Sequence, residues 1–156
     1  MRLKGMARQS TGGMATINNK LKQISSHLFI PYKSQERSYI NERIKNFQKG
    51  IKNHFGNKVI EVLLFGSYKR DTILPRKFDE QSDIDVLVVF DKSSIEYATE
   101  TYRNQIKKFA EKNYFRSPVV KDFPSIVVQM SNIKFDLVPC TIHEGVFWNS
   151  YYQIPD

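Results

Sequence analysis

The sequence predicts an α+β domain in which a central β-sheet is flanked by helices, the longest of them near the N-terminus. Three observations predict it. Apolar residues recur at helical spacing in three stretches. Four short runs rich in Val, Ile, Leu and Phe, bounded by Gly, Ser, Asn or Asp, carry the pattern of strands. With 40% hydrophobic and 26% charged residues among 156, one domain with an ordinary core is expected, and neither disorder nor a fibrous repeat fits.

Residues 1–15, rich in Gly, Ser and Thr and without period, read as a flexible tail. From Ile17 the residues Ile17, Leu21, Ile24 and Leu28 define a short helix that Pro31 stops. Ser34 is placed to cap a longer helix in which Ile40, Ile44, Phe47 and Ile51 form one stripe, ending near Gly56. Arg43, Lys45, Lys49 and Lys52 lie off that stripe and read first as a solvated face. Residues 59–65 form an apolar run ended by Gly66, and 84–90 a nearly continuous one, typical of a strand buried on both faces. Tyr97, Ala98, Tyr102, Ile106, Phe109 and Ala110 predict a helix over about 94–113. Two further strands, 126–130 and 133–138, flank the tight turn Ser131-Asn132, and the stretch from Cys140 onward reads as irregular.

Composition narrows the function. A lone Cys140 excludes an internal disulfide and a cysteine-based zinc site, so a reducing cytoplasm is the expected setting. No apolar run reaches the roughly 18 to 20 residues of a membrane span, and no membrane partner is expected. The net charge of +8 is unevenly distributed. Residues 1–58 hold twelve Lys and Arg against only Glu36 and Glu42, whereas the remainder is slightly acidic. Any surface for a polyanion therefore lies on the N-terminal segments.

The chemistry concentrates elsewhere. Asp83 and Asp85 stand at the head of the 84–90 strand, where a period of two aims both carboxylates at one face. Like charges about 7 Å apart on a strand entering the core repel and resist desolvation. Either one of them takes a proton or a cation holds both; a hard divalent cation resolves this most simply, and Mg²⁺ takes one or two carboxylates plus water and phosphate oxygens. Asp136 lies between Phe135 and Leu137 in another apolar strand. If that strand adjoins the first, three carboxylates meet, the ligand set for two metal ions about 3.5 to 4 Å apart. Upstream, Gly66 and Ser67 follow a strand directly. A glycine that admits a phosphate, a hydroxyl, the free N–H groups of a helix start and the charge of Lys69 or Arg70 together make a triphosphate cradle. His27, His54 and His143 fit no ligand spacing, and Trp148, Tyr151 and Tyr152 read as packing before base stacking.

Three segments, Leu64-Phe-Gly-Ser-Tyr-Lys-Arg-Asp-Thr72, Ser82-Asp-Ile-Asp-Val-Leu-Val-Val-Phe90 and Lys134-Phe-Asp-Leu-Val-Pro139, resemble the DNA polymerase β-like nucleotidyltransferases. Within them the chain is most similar to the bacterial CD-NTases, relatives of cyclic GMP-AMP synthase and oligoadenylate synthase that make nucleotide second messengers in anti-phage defence. The resemblance covers roughly residues 34–156 and implies a polymerase β-like fold with a mixed sheet. It implies that Gly66 and Ser67, with Arg70, hold the triphosphate of ATP, GTP or another nucleoside triphosphate. Asp83 and Asp85 would bind two Mg²⁺ ions, or Mn²⁺ in their place, and Asp136 the ion that activates the acceptor hydroxyl.

Two features depart from the pattern. Asp71 stands where many relatives carry Gly, which bears on Arg70 as a phosphate ligand. Relatives also add a C-terminal helical lobe, so residues 16–156 are expected to be the catalytic core without it. The expected activity is joining nucleoside triphosphates into a linear or cyclic oligonucleotide with release of pyrophosphate, with a nucleic acid or protein as activator in some relatives. Two other readings compete with it: a small nucleotidyltransferase that adenylylates a protein partner, and a non-catalytic domain binding nucleic acid through its basic N-terminal helices.

Overall fold

The computed structural model describes residues 12–91, 98–144 and 150–154. Helix α1 spans Gly12–Leu28, α2 Gln35–Phe55, α3 Gly66–Lys69 and α4 Thr99–Asn113. Strands β1 to β6 span Val59–Leu64, Asp83–Phe90, Val119–Asp122, Ser125–Met130, Ile133–Glu144 and Ser150–Gln153. They form one sheet in the order β1-β2-β5-β4-β3, with β6 also paired to β5. Only β2 and β5 run parallel and the other pairings are antiparallel, so the sheet is mixed, as the resemblance implies.

Packing rather than capping holds α2. The Ser34 hydroxyl accepts the Arg37 N–H at 3.1 Å, a cap worth about 1 kcal/mol. Ile40, Ile44, Phe47, Ile51 and Phe55 are all buried, each contributing about 1.5 to 3 kcal/mol, so the apolar stripe outweighs the cap severalfold. Phe47 is the centre of this contact. It stacks on Phe135 of β5 and on Tyr114, both with ring centroids 4.5 Å apart, and meets Phe109 of α4 edge-on. Helices α2 and α4 thereby cover one face of the sheet. The opposite side-chain set of β2 and β5 carries the acidic residues.

Several boundaries differ from the sequence expectation. Helix α1 starts at Gly12, before its apolar repeat begins at Ile17, while residues 1–11 lie outside the described residues. The helix expected from about residue 94 is described from Thr99, and Tyr97 falls outside the described residues. The stretch beyond Cys140 is regular where described: β5 runs on to Glu144 and pairs with β6. Alternation was too weak there to signal a strand, and ladder pairing supplies the order instead. Strand β3 was missed for the same reason: its four residues are partly or fully exposed at the sheet edge. On α1 the predicted stripe exists but is not buried, for Ile17, Leu21 and Ile24 are each more than half exposed.

Candidate active site

Strand pairing builds the site. Parallel register sets Asp85 directly beside Asp136 and Asp83 beside Lys134. Adjacent strands lie about 4.8 Å apart, so residues in register on one face must meet. Asp83, Asp85 and Asp136 accordingly each offer a carboxylate oxygen within 4.8 Å of the others. Their strand neighbours Ile84, Val86, Phe135 and Leu137 point to the opposite face and are buried. The entry to β2 is pinned by Ser82, whose hydroxyl donates to Leu74 O at 3.0 Å and lies 3.2 Å from Asp79 Oδ2.

Gly66 backs onto this cluster with no room to spare. Its φ of +66° belongs to the left-handed region, and a Cβ there would lie 1.7 Å from Asp85 Oδ2. The Phe65 N–H donates to Asp85 O at 3.1 Å, carrying the β1–β2 ladder up to the glycine. The Ser67 backbone N–H donates to the Asp85 carboxylate and favours its ionised form, against burial and Asp83. Burial, the largest influence, and then Asp83 nevertheless hold Asp85 above the usual carboxylate range. Arg70 closes α3 on the exposed side, and its charge is felt at Asp85 in the opposite sense.

Asp71 explains its own departure. At φ 57° it occupies the left-handed region that glycine favours and that Asp tolerates better than most residues. Its carboxylate turns away from the carboxylate cluster. Arg37 Nη2 donates to Oδ1 at 2.6 Å and the Tyr32 hydroxyl to Oδ2 at 2.7 Å, and these bonds hold the Asp71 carboxyl below its usual range. Arg37 itself sits buried on the apolar stripe of α2, stacked against Tyr68 of α3 at 4.5 Å and Tyr32 at 4.9 Å. The Tyr68 hydroxyl donates to Asn41 Oδ1 at 2.9 Å. Together these contacts tie the Gly66 loop to α2. An arginine at helical spacing with Ile40 and Ile44 was the signal for this support, and the sequence reading passed over it.

Lys134 is the second residue missed. Its Nζ lies 3.1 Å from Asp83 Oδ2 and 3.8 Å from Asp136 Oδ1. The signal was present, because a period of two places Lys134 on the same face as Asp136. Trp148 lies outside the described residues, and Tyr152 is exposed with its hydroxyl on Glu61 at 3.3 Å.

The residues present fit a divalent cation. Asp136 Oδ1 is buried and accepts no hydrogen bond, a costly state unless a cation shares it. Three converging carboxylate oxygens are the hard donor set that Mg²⁺ or Mn²⁺ takes.

Burial is the main reason that Asp136 is pushed up to about 6, with Asp83 and Asp85 acting the same way and Lys134 against them. Between its ordinary value of 3.8 and about 6 the folded chain holds a proton that the unfolded chain has released. The metal-free fold therefore loses stability as pH rises through that window. A divalent cation needs the ionised carboxylate, so its stabilisation grows as pH passes about 6. Thermal melts should show Mg²⁺ or Mn²⁺ raising the melting temperature at about pH 7.5 and scarcely at about pH 5. An equal shift at both pH values would exclude Asp136 as a ligand.

Residues 14–156 match the family of Second Messenger Oligonucleotide or Dinucleotide Synthetase (SMODS) domains. The chain belongs to this family. No curated protein matches it. Among solved structures, the Bradyrhizobium diazoefficiens CD-NTase CdnG in complex with GTP is similar over 90% of this chain and 44% of its own, with 16% identity and a TM-score of 0.68. Escherichia coli CdnC with ATP is similar over 86% and 43%, with 17% identity and a TM-score of 0.60. The Elizabethkingia meningoseptica CdnE cyclic dinucleotide synthase, solved with GTP and Apcpp, is similar over 74% and 48%, with 19% identity and a TM-score of 0.55. The SMODS chain thus has the CD-NTase nucleotidyltransferase fold and spans under half the length of each of these structures. Among its described residues no helix is long and apolar enough to cross a membrane.

Proposed function

We propose that this SMODS chain is the catalytic core of a nucleotidyltransferase that joins nucleoside triphosphates into a linear or cyclic oligonucleotide second messenger. ATP or GTP is the donor and a second nucleotide the acceptor; the resemblance to CD-NTases supports a role in anti-phage defence, and the lone Cys140 supports a reducing cytoplasm as the setting. One observation carries the reading: Asp83, Asp85 and Asp136 converge within 4.8 Å on adjoining parallel strands, directly against a glycine without space for a side chain.

Asp83 and Asp85 would hold two divalent ions, and Asp136 the one on the acceptor side. Such ions, when bound, lower the pKa of a ribose hydroxyl and neutralise charge on the triphosphate. Gly66 lets its loop close against Asp85, where the loop backbone and the Ser67 hydroxyl would hold phosphate oxygens and Arg70 would add a positive charge. The tie from Asp71 to Arg37 and Tyr32 holds that loop in place before substrate arrives. The acceptor oxygen bonds to the α-phosphorus, the bond to the β-phosphate oxygen breaks, pyrophosphate leaves, and the hydroxyl proton is released.

The test is incubation with α-labelled ATP and GTP and Mg²⁺ or Mn²⁺, followed by phosphatase and chromatography. A phosphatase-resistant product that needs the metal is expected. Label appearing on a polypeptide instead would make the chain a protein-adenylylating enzyme. Absence of any transfer from a folded chain that binds metal and nucleotide would overturn the reading for these 156 residues.

A further inference from the structure

We propose that Lys134 is the built-in counter-ion of the carboxylate cluster: its ammonium competes with an entering cation, and a nucleoside triphosphate that takes over the ammonium group relieves that competition. The proposal rests on the metal-site reading above and adds to it a coupling between metal and nucleotide.

The geometry is specific. Lys134 is in register with Asp83 across the parallel pair β2 and β5, on the face that bears all three carboxylates. Its side chain is only 20% exposed, and its Nζ bridges Asp83 at 3.1 Å and Asp136 at 3.8 Å. This is no solvated surface pair, whose worth is close to nothing. The second contact is an ion pair without a hydrogen bond, since Asp136 Oδ1 has no hydrogen-bond partner. The ammonium therefore offsets the negative charge without satisfying the buried oxygen.

A cation entering this cluster meets a like charge that is already in place. Charges at such separations in a half-buried site repel strongly, enough to weaken metal affinity by about tenfold or more. Lysine can leave, because its charge rides on a flexible four-carbon stem. A departing ammonium needs new acceptors, and triphosphate oxygens supply charge-assisted ones. Metal and nucleotide then load together, each raising the affinity of the other by the same factor.

Calorimetric titration of Mn²⁺ into the 156-residue chain tests this, with and without an ATP analogue uncleavable between its α and β phosphates. A protein-free titration accounts for metal taken up by the analogue. In the wild type, Mn²⁺ alone should bind weakly and the analogue should strengthen it about tenfold or more. Lys134→Gln should bind Mn²⁺ alone about tenfold more tightly and gain less from the analogue than the wild type does, the phosphate oxygens still serving as ligands, while Lys134→Arg should restore the wild-type pattern. Should Lys134→Gln melt early, Lys134→Met keeps the stem and serves in its place. Unchanged or weaker Mn²⁺ binding in a folded Lys134→Gln chain would overturn the proposal, and so would a nucleotide effect as large as in the wild type. Failure of the metal site itself looks different: wild type and Asp85→Asn would then bind Mn²⁺ alike or not at all, and both readings would fall.

Discussion

Asp85→Asn is expected to cut nucleotidyl transfer by about a thousandfold or more while leaving the fold intact. Asp85 is in register with Asp136 and flanked on its own strand by Asp83, so its charge is the one both neighbours share. Asparagine keeps the shape and retains an oxygen to accept the Ser67 N–H, but it is a poor ligand for a hard cation. Stability should move the other way. Burial and Asp83 hold the Asp85 carboxyl above its usual range, so near neutral pH its ionised form costs the folded state free energy that the unfolded chain does not lose. The metal-free variant should therefore melt at or above the wild-type temperature, and Mg²⁺ should no longer raise it. Turnover close to wild type would sink the metal assignment. A melting temperature many degrees lower would show that the residue is structural.

Gly66→Ala is expected to damage both stability and function. A left-handed φ costs alanine about 1 kcal/mol, and displacing a carboxylate 1.7 Å from the new Cβ adds to it, for a total of about 2 to 4 kcal/mol. For a domain of this size that is a fall of about 5 to 10 °C in melting temperature. Metal binding should be lost as well, because Asp85 cannot keep its place. Two other glycines isolate the causes. Gly56 has φ +55° and nothing within 4 Å of its Cβ position, so Gly56→Ala should show the conformational cost alone. Gly50 lies within α2, where a Cβ meets Phe109 Cζ and Tyr114 Oη at 3.6 Å, an ordinary contact, and alanine there should stabilise by about 0.5 to 1 kcal/mol. If Gly66→Ala resembled Gly56→Ala in both melt and metal binding, the close approach of loop and carboxylate would not matter.

Much of this architecture was legible because its signals are local. The stripe Ile40, Ile44, Phe47 and Ile51 and the run from Ile84 to Phe90 are set by side-chain period along one element, and the structure buries each of these residues except Asp85 and Leu87, which are half-buried. The acidic pair Asp83 and Asp85 was legible for the same reason, as were Gly66 and Ser67 by their position after a strand. What escaped was short, edge-bound or weakly alternating: β3, β6 and the far half of β5 owe their order to ladder partners rather than to their own composition.

The sequence by itself determined which residues face together within one element: two carboxylates on one side of β2, and Lys134 with Asp136 on one side of β5. Only the tertiary structure decided that β2 and β5 lie parallel with Asp85 beside Asp136, and that Asp71 turns to Arg37 rather than toward the carboxylate cluster. The reason is physical. Backbone geometry fixes the direction of neighbouring side chains within a strand or helix, whereas strand register and the pairing of distant charges follow from which apolar faces bury one another, and no local pattern encodes that choice.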